Sequence, residues 1–134
     1  MSVLRLLDTN TASYIIKGHP ARVRERLLKV PMAEVCISAV TEAELRCGVE
    51  RRPDLPTLRT AVEEFILRLQ VLSWDSDAAR YYAKIRADLE RRGTPMGNLD
   101  MMIAARALAA GAVLVSSDRF FQRIKGIKTE DWAS

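Results

Sequence analysis

Histidine is nearly missing from this sequence: His19 is the only one in 134 residues. A pair of imidazoles for acid–base catalysis cannot be assembled from it. Cysteine is scarce too, at two residues, Cys36 and Cys47, with no CxxC spacing. That excludes a disulfide framework or a zinc knuckle, and it fits two small packed side chains in a reducing cytoplasm. Five Pro and six Gly are too few for a fibrous or disordered chain. No apolar run approaches the ~20 residues of a membrane span. Met1 to Arg5 lacks the basic start and apolar stretch of a signal peptide, so neither a leader nor a membrane association is expected. A strong charge imbalance is also absent. Twenty-one Lys and Arg against 17 Asp and Glu leave +4, which tolerates an anionic partner without demanding one.

What is present is an ordinary globular composition, 49% hydrophobic and 28% charged, in a length that suggests one domain over residues 1–134 with a core of its own. Apolar runs alternate with helical patterns. Residues 3–7 read as a strand, interrupted only by Arg5 and ending at Asp8. A short helix from Thr11 to Lys17 closes at Gly18, and His19-Pro20 opens another. Residues 34–38 form the second strand, followed by a helix from Thr41 to about Arg51. Past Pro53 and Pro56, Leu58, Val62, Phe65 and Leu69 make an amphipathic stripe. Val71-Leu72 is a third strand, and Asp75 or Ser76 caps a helix over 76–92 whose stripe is Ala78, Tyr82, Ile85 and Leu89. Residues 98–110 are apolar nearly all round, which predicts a buried helix ended by Gly111. Residues 112–115 are the fourth strand, 119–124 one helical turn, and 127–129 an edge strand. The alternation predicts a three-layer α/β/α fold with a central parallel sheet of four to five strands.

Ligands in such sheets gather outside the carboxyl ends of the strands, and four acids sit at comparable places. Asp8 ends strand one, Asp118 comes after strand four, Glu44 lies one turn into the helix after strand two, and Asp100 opens the buried helix. Each has a plain structural role on offer. Asp8 and Asp118 can cap helices, Thr41 and Glu44 have the spacing of a capping box, and Asp100 can sit behind an Asn98 cap, favoured by the helix dipole. Asp100 strains that account. Its helix has almost no polar face, and Arg106 is six positions away on another side. A desolvated carboxylate without a partner is costly or shifts its pKa. A cation shared with the other acids removes the difficulty, and hard oxygen ligands suit Mg²⁺ or Mn²⁺ rather than zinc.

The same residues carry a family resemblance. Leu7-Asp8-Thr9-Asn10 resembles the opening motif of PIN-domain nucleases. Ile37-Ser38-Ala39-Val40-Thr41-Glu42-Ala43-Glu44-Leu45, with Gly48 beyond, resembles their second block. Leu99-Asp100-Met101-Met102-Ile103-Ala104-Ala105 resembles the third, and Leu114-Val115-Ser116-Ser117-Asp118 with Phe121 the fourth. The ending Ile127 to Trp132 is similar to the tail of the VapC group, the toxins of bacterial toxin–antitoxin pairs. The match spans nearly the whole chain. Two departures stand out: Glu42, where many relatives are apolar, and Asp118, where related toxins often have Asn.

The resemblance implies a PIN-like fold and a cytoplasmic endoribonuclease that hydrolyses RNA phosphodiester bonds with Mg²⁺ or Mn²⁺. Its catalytic set would be Asp8, Glu44, Asp100 and Asp118. Asp8 and Asp100 are the leading metal ligands, and Glu44 and Asp118 would hold a second ion or orient water. Thr9, Asn10, Ser116 and Ser117 are candidates to fix the carboxylate rotamers from behind, or to serve as turn and cap residues. Arg46, Arg51, Arg86 and Arg119 are candidates for the RNA backbone. The resemblance also implies a structured RNA target such as tRNA, a homodimer and a VapB-like antitoxin. The stripes at 58–69 and 78–89 would serve as surfaces or, more simply, as core. Two other readings of the residues stay open. One is an Mg²⁺-dependent phosphoryl-transfer or phosphoacceptor domain, with Asp75 as a further strand-end acid and Lys125 or Lys128 as its lysine. The other is a non-catalytic basic RNA-binding module whose acids are only caps.

Overall fold

The computed structural model describes residues 3–134. Strand β1, Arg5–Leu7, lies at the centre of the sheet because nothing polar interrupts Leu6 and Leu7, both fully buried. It pairs in parallel with β2, Val35–Ser38, on one side and β4, Val113–Val115, on the other. β3, Gln70–Leu72, and β5, Thr129–Glu130, add parallel edges, giving five strands in the order β3-β2-β1-β4-β5. The connections after β1 run outward to β2 and β3, then return to β4 and β5. The reversal falls between β1 and β4, so the crevice at their carboxyl ends is the place for a ligand.

Helices cover both faces, as the three-layer reading predicted. Side chains on a strand alternate between faces, and adjacent residues accordingly enter different cores. Leu6, Cys36 and Leu114 pack towards α5, Ser76–Arg91, and α6, Asn98–Ala110. Leu7, Ile37 and Val115 pack towards α1, Thr9–Lys17, α2, Ala21–Leu28, and α4, Pro56–Arg68. Helix α3, Ala39–Glu50, serves both, with Val40 in the first core and Leu45 and Val49 in the second. The expected stripes are core: Val62 and Phe65 from one, Ala78, Ile85 and Leu89 from the other, are buried. Among the described residues no helix is long and apolar enough to cross a membrane.

Element bounds differ from expectation in instructive ways. α1 starts at Thr9 rather than Thr11, because Asp8 accepts the Thr11 N–H at 2.8 Å and so caps the helix directly at the strand end. α3 starts at Ala39 rather than Thr41, capped by Ser38, which accepts the Thr41 N–H at 3.2 Å. Glu34 falls in a short 3-10 turn, Met32–Glu34, ahead of β2. The edge strand pairs at Thr129 and Glu130, starting two residues later than the expected 127–129, with Trp132 buried behind it.

Candidate active site

Asp8 leaves the end of β1 only 4% exposed. Its carboxylate caps α1, so the structural role expected of it is real, but capping takes only part of its capacity to accept. Burial pushes the Asp8 carboxyl above the usual carboxylate range. Ser116 and the Thr11 N–H pull it part of the way back, and the charge of Asp118 adds to the rise. Ser116, buried at the end of β4, also accepts the Asp118 N–H at 3.0 Å. Ser116 therefore touches the Asp8 carboxylate and the Asp118 backbone. Asp118 in turn caps the 3-10 turn Arg119–Arg123, accepting the Phe120 N–H at 2.9 Å.

Asp100 lies in the first turn of α6, half-buried. Its pKa is raised by burial first and then by the charges of Asp118, Glu44 and Asp8. The fold has thus brought the other three predicted acids, from three separate stretches of sequence, within electrostatic reach of Asp100. Among the described residues Asp100 forms no ion pair, and Arg106 donates to the Ser73 carbonyl instead. The Asn98 cap is not formed, since Gly97 precedes α6 with no side-chain bond.

Glu44 corrects the capping-box expectation. Helix α3 begins earlier than Thr41, and Ser38 already takes the Thr41 N–H that Glu44 would have reached. Its Oε1 accepts instead from the Thr9 hydroxyl at 2.6 Å. Thr9 Oγ1 also lies 3.1 Å from Thr41 Oγ1. Thr41 thereby joins the site, which the sequence reading did not include. The signal available was its spacing three residues before Glu44, which places both on one helix face. Thr11 is a second addition; its hydroxyl donates to the Val115 carbonyl at 3.1 Å and ties α1 to β4.

Other candidates fall away from the cluster. The Ser117 hydroxyl donates to Asp131 at 2.7 Å, and Asn10 is exposed on α1. Arg46 is held by Glu42 and Glu63, and Arg86 by Glu90 and Tyr82. Arg51 borders an apolar cleft of about 440 Å³ that Glu44, Ala43, Trp74 and Leu99 also line. Asp75 caps α5 by accepting the Ala78 N–H at 3.0 Å, and Lys125 pairs with Asp88 at 3.5 Å.

The donor set is carboxylate and hydroxyl oxygen, the chemistry of a hard divalent cation. Among the described residues no three Asp, Glu, His or Cys side chains close into a ready coordination sphere.

The PIN-domain model matches residues 5–127. The chain is 44% identical over 128 residues to the tRNA(fMet)-specific endonuclease VapC of Salmonella typhimurium strain LT2, covering 95% of this chain and 96% of that one. It is 36% identical to ribonuclease VapC2 of Haemophilus influenzae, covering 95% and 96%. Among solved structures, DNA-bound VapBC from Salmonella typhimurium superposes with a TM-score of 0.90 at 43% identity, over 97% of this chain and 98% of that one. VapBC2 from Rickettsia felis, bound to a DNA fragment from its promoter, gives 0.88 at 30% identity, over 97% and 99%.

Proposed function

The chain belongs to the PIN-domain family and is a ribonuclease of the VapC toxin group; from that premise we propose that Asp8, Glu44, Asp100 and Asp118 form its metal-dependent catalytic site. The observation that carries this is Asp100: a partly buried carboxylate raised by burial and by three other acids, with no ion-pair partner among the described residues. Asp8 and Asp100 would hold Mg²⁺ or Mn²⁺, with Glu44 and Asp118 holding a second ion or orienting water. Such an ion polarises a phosphoryl oxygen, lowers the pKa of bound water and steadies the leaving oxygen.

The chain's own residues prepare the site. Ser116 sets Asp8 and Asp118 relative to each other. Thr9 holds one oxygen of Glu44. The cap bonds to Thr11 and Phe120 fix the directions of Asp8 and Asp118, so that little reorganisation is needed when substrate arrives. Arg51 and the exposed Arg119 are the rim cations left to meet a phosphate backbone.

The finer reading is a toxin acting on transfer RNA in the cytoplasm, as one compact PIN unit over residues 1–134. It is restrained by a VapB-like antitoxin and works as a homodimer. The 44% identity to a tRNA(fMet)-specific endonuclease and the likeness to VapBC complexes support this. Leu28, 79% exposed, borders a groove between α1, α2 and α4 that is apolar enough for a partner to cover. The test is cleavage of total RNA with Mg²⁺ or Mn²⁺. Wild type is expected to cut a small set of structured RNAs, to stop with chelator, and to lose at least about 100-fold in rate as Asp8→Asn or Asp100→Asn. Undiminished cleavage by both variants would leave the acids as caps only.

A further inference from the structure

Three side chains form a line from the core to the acid cluster. Thr9 Oγ1 lies 2.6 Å from Glu44 Oε1 and 3.1 Å from Thr41 Oγ1. A threonine hydroxyl has one proton to give, and a carboxylate has none. Thr9 gives its proton to Glu44, so the proton between the two threonines belongs to Thr41. Counting protons thereby fixes the direction: Thr41 to Thr9, Thr9 to Glu44.

Thr41 is fully buried. A threonine inside a helix usually turns its hydroxyl back on a carbonyl one turn earlier. This one reaches across to the start of α1, to a residue 32 positions away. Its backbone is pinned there by Ser38, which accepts the Thr41 N–H. Thr9 adjoins Asp8, so the line also couples the rotamer of Glu44 to the helix that carries Asp8.

We propose that Thr41 and Thr9 are positioning residues: a one-way hydroxyl relay that occupies one oxygen of Glu44 and leaves the other for the acid cluster. This rests on the ribonuclease reading of that cluster. Thr41 acts only through Thr9, and neither touches substrate.

The test uses the full chain with bulk transfer RNA as substrate and Mn²⁺ as the probe ion. Thr9→Val, Thr9→Ser, Thr41→Val, Thr41→Ser, the double valine variant and Glu44→Gln are compared for kcat, KM and, without RNA, Mn²⁺ affinity by electron paramagnetic resonance. Thr9→Val is expected to lose about 10-fold or more in kcat or Mn²⁺ affinity, in the range typical of residues that orient metal ligands, with KM nearly unchanged. Thr41→Val loses less. Each serine variant recovers to within about twofold of wild type. The double variant is no worse than Thr9→Val alone, because removing the near link already disconnects the far one. Additive losses, or no recovery by serine, overturn the relay. So do valine variants that match wild type while Glu44→Gln is impaired, and in that case the acid site stands. Wild-type cleavage by Glu44→Gln would instead overturn the role of Glu44 and the relay with it. Thr9 sits at the half-buried start of α1, so the Thr9 pair carries the test if Thr41→Val fails to fold.

Discussion

A carboxylate in the first turn of a helix normally gains from the helix dipole, yet burial and three neighbouring acids raise Asp100. An acid with a raised pKa in the fold binds more protons folded than unfolded. Its unfavourable contribution therefore appears as pH climbs past the ordinary value of 3.8 and is complete above the raised one. In chelator, Asp100→Asn is expected to melt above wild type at neutral pH, with the gap shrinking towards zero as pH falls below that range. Thermal unfolding across pH checks this; a variant that melts lower at neutral pH would make Asp100 a structural acid. Asp8→Asn is different, because an asparagine can still cap α1. It should keep the melting temperature within a few degrees while losing cleavage, which separates the two duties that Asp8 performs at one position.

At the scale of elements, each acid is aimed by a helix start. Asp8, Ser38 and Asp118 cap α1, α3 and the 3-10 turn Arg119–Arg123, Asp100 lies in the first turn of α6, and Glu44 lies one turn into α3. Ser38→Ala should therefore act at a distance. It is expected to cost about 1 kcal/mol of stability in urea unfolding and, by loosening the turn that bears Thr41, to lower cleavage as well. Unchanged cleavage with the stability loss would decouple the cap from the site. Elements are also where the sequence is both most and least legible. The helix over 98–110 can be read to the residue because its apolar run is bounded by Gly97 and Gly111, and the stripes of α4 and α5 are plain in their spacing. The start of α3 is not. Ser38 and Thr41 are both good caps three residues apart, and only the pairing of β2 through Ser38 with Leu72 decides between them. That ambiguity hides the true partner of Glu44. A tertiary bond between Thr9 and Thr41 leaves no local mark, and Ser117 cannot be told from Ser116 without knowing which one the strand buries.

For the whole molecule, the order of the strands does the gathering. Four stretches of sequence converge because β1 and β4 are neighbours at the point where the strand order reverses. The surface carries +4 overall, and several arginines are held by acids of their own. RNA binding should thus depend only moderately on salt. Neutralising about three phosphates of a single strand predicts roughly a 20-fold loss of affinity between about 50 and 200 mM salt, measurable by fluorescence anisotropy with the inactive Asp8→Asn protein. A slope near zero would remove the backbone contacts assigned to Arg51 and Arg119. The central claim is that these acids share a divalent ion, and anomalous diffraction from crystals grown with Mn²⁺ tests it most directly. The account predicts an anomalous peak bounded by the Asp8 and Asp100 carboxylates; Mn²⁺ bound only elsewhere, with those two acids still apart, would contradict it.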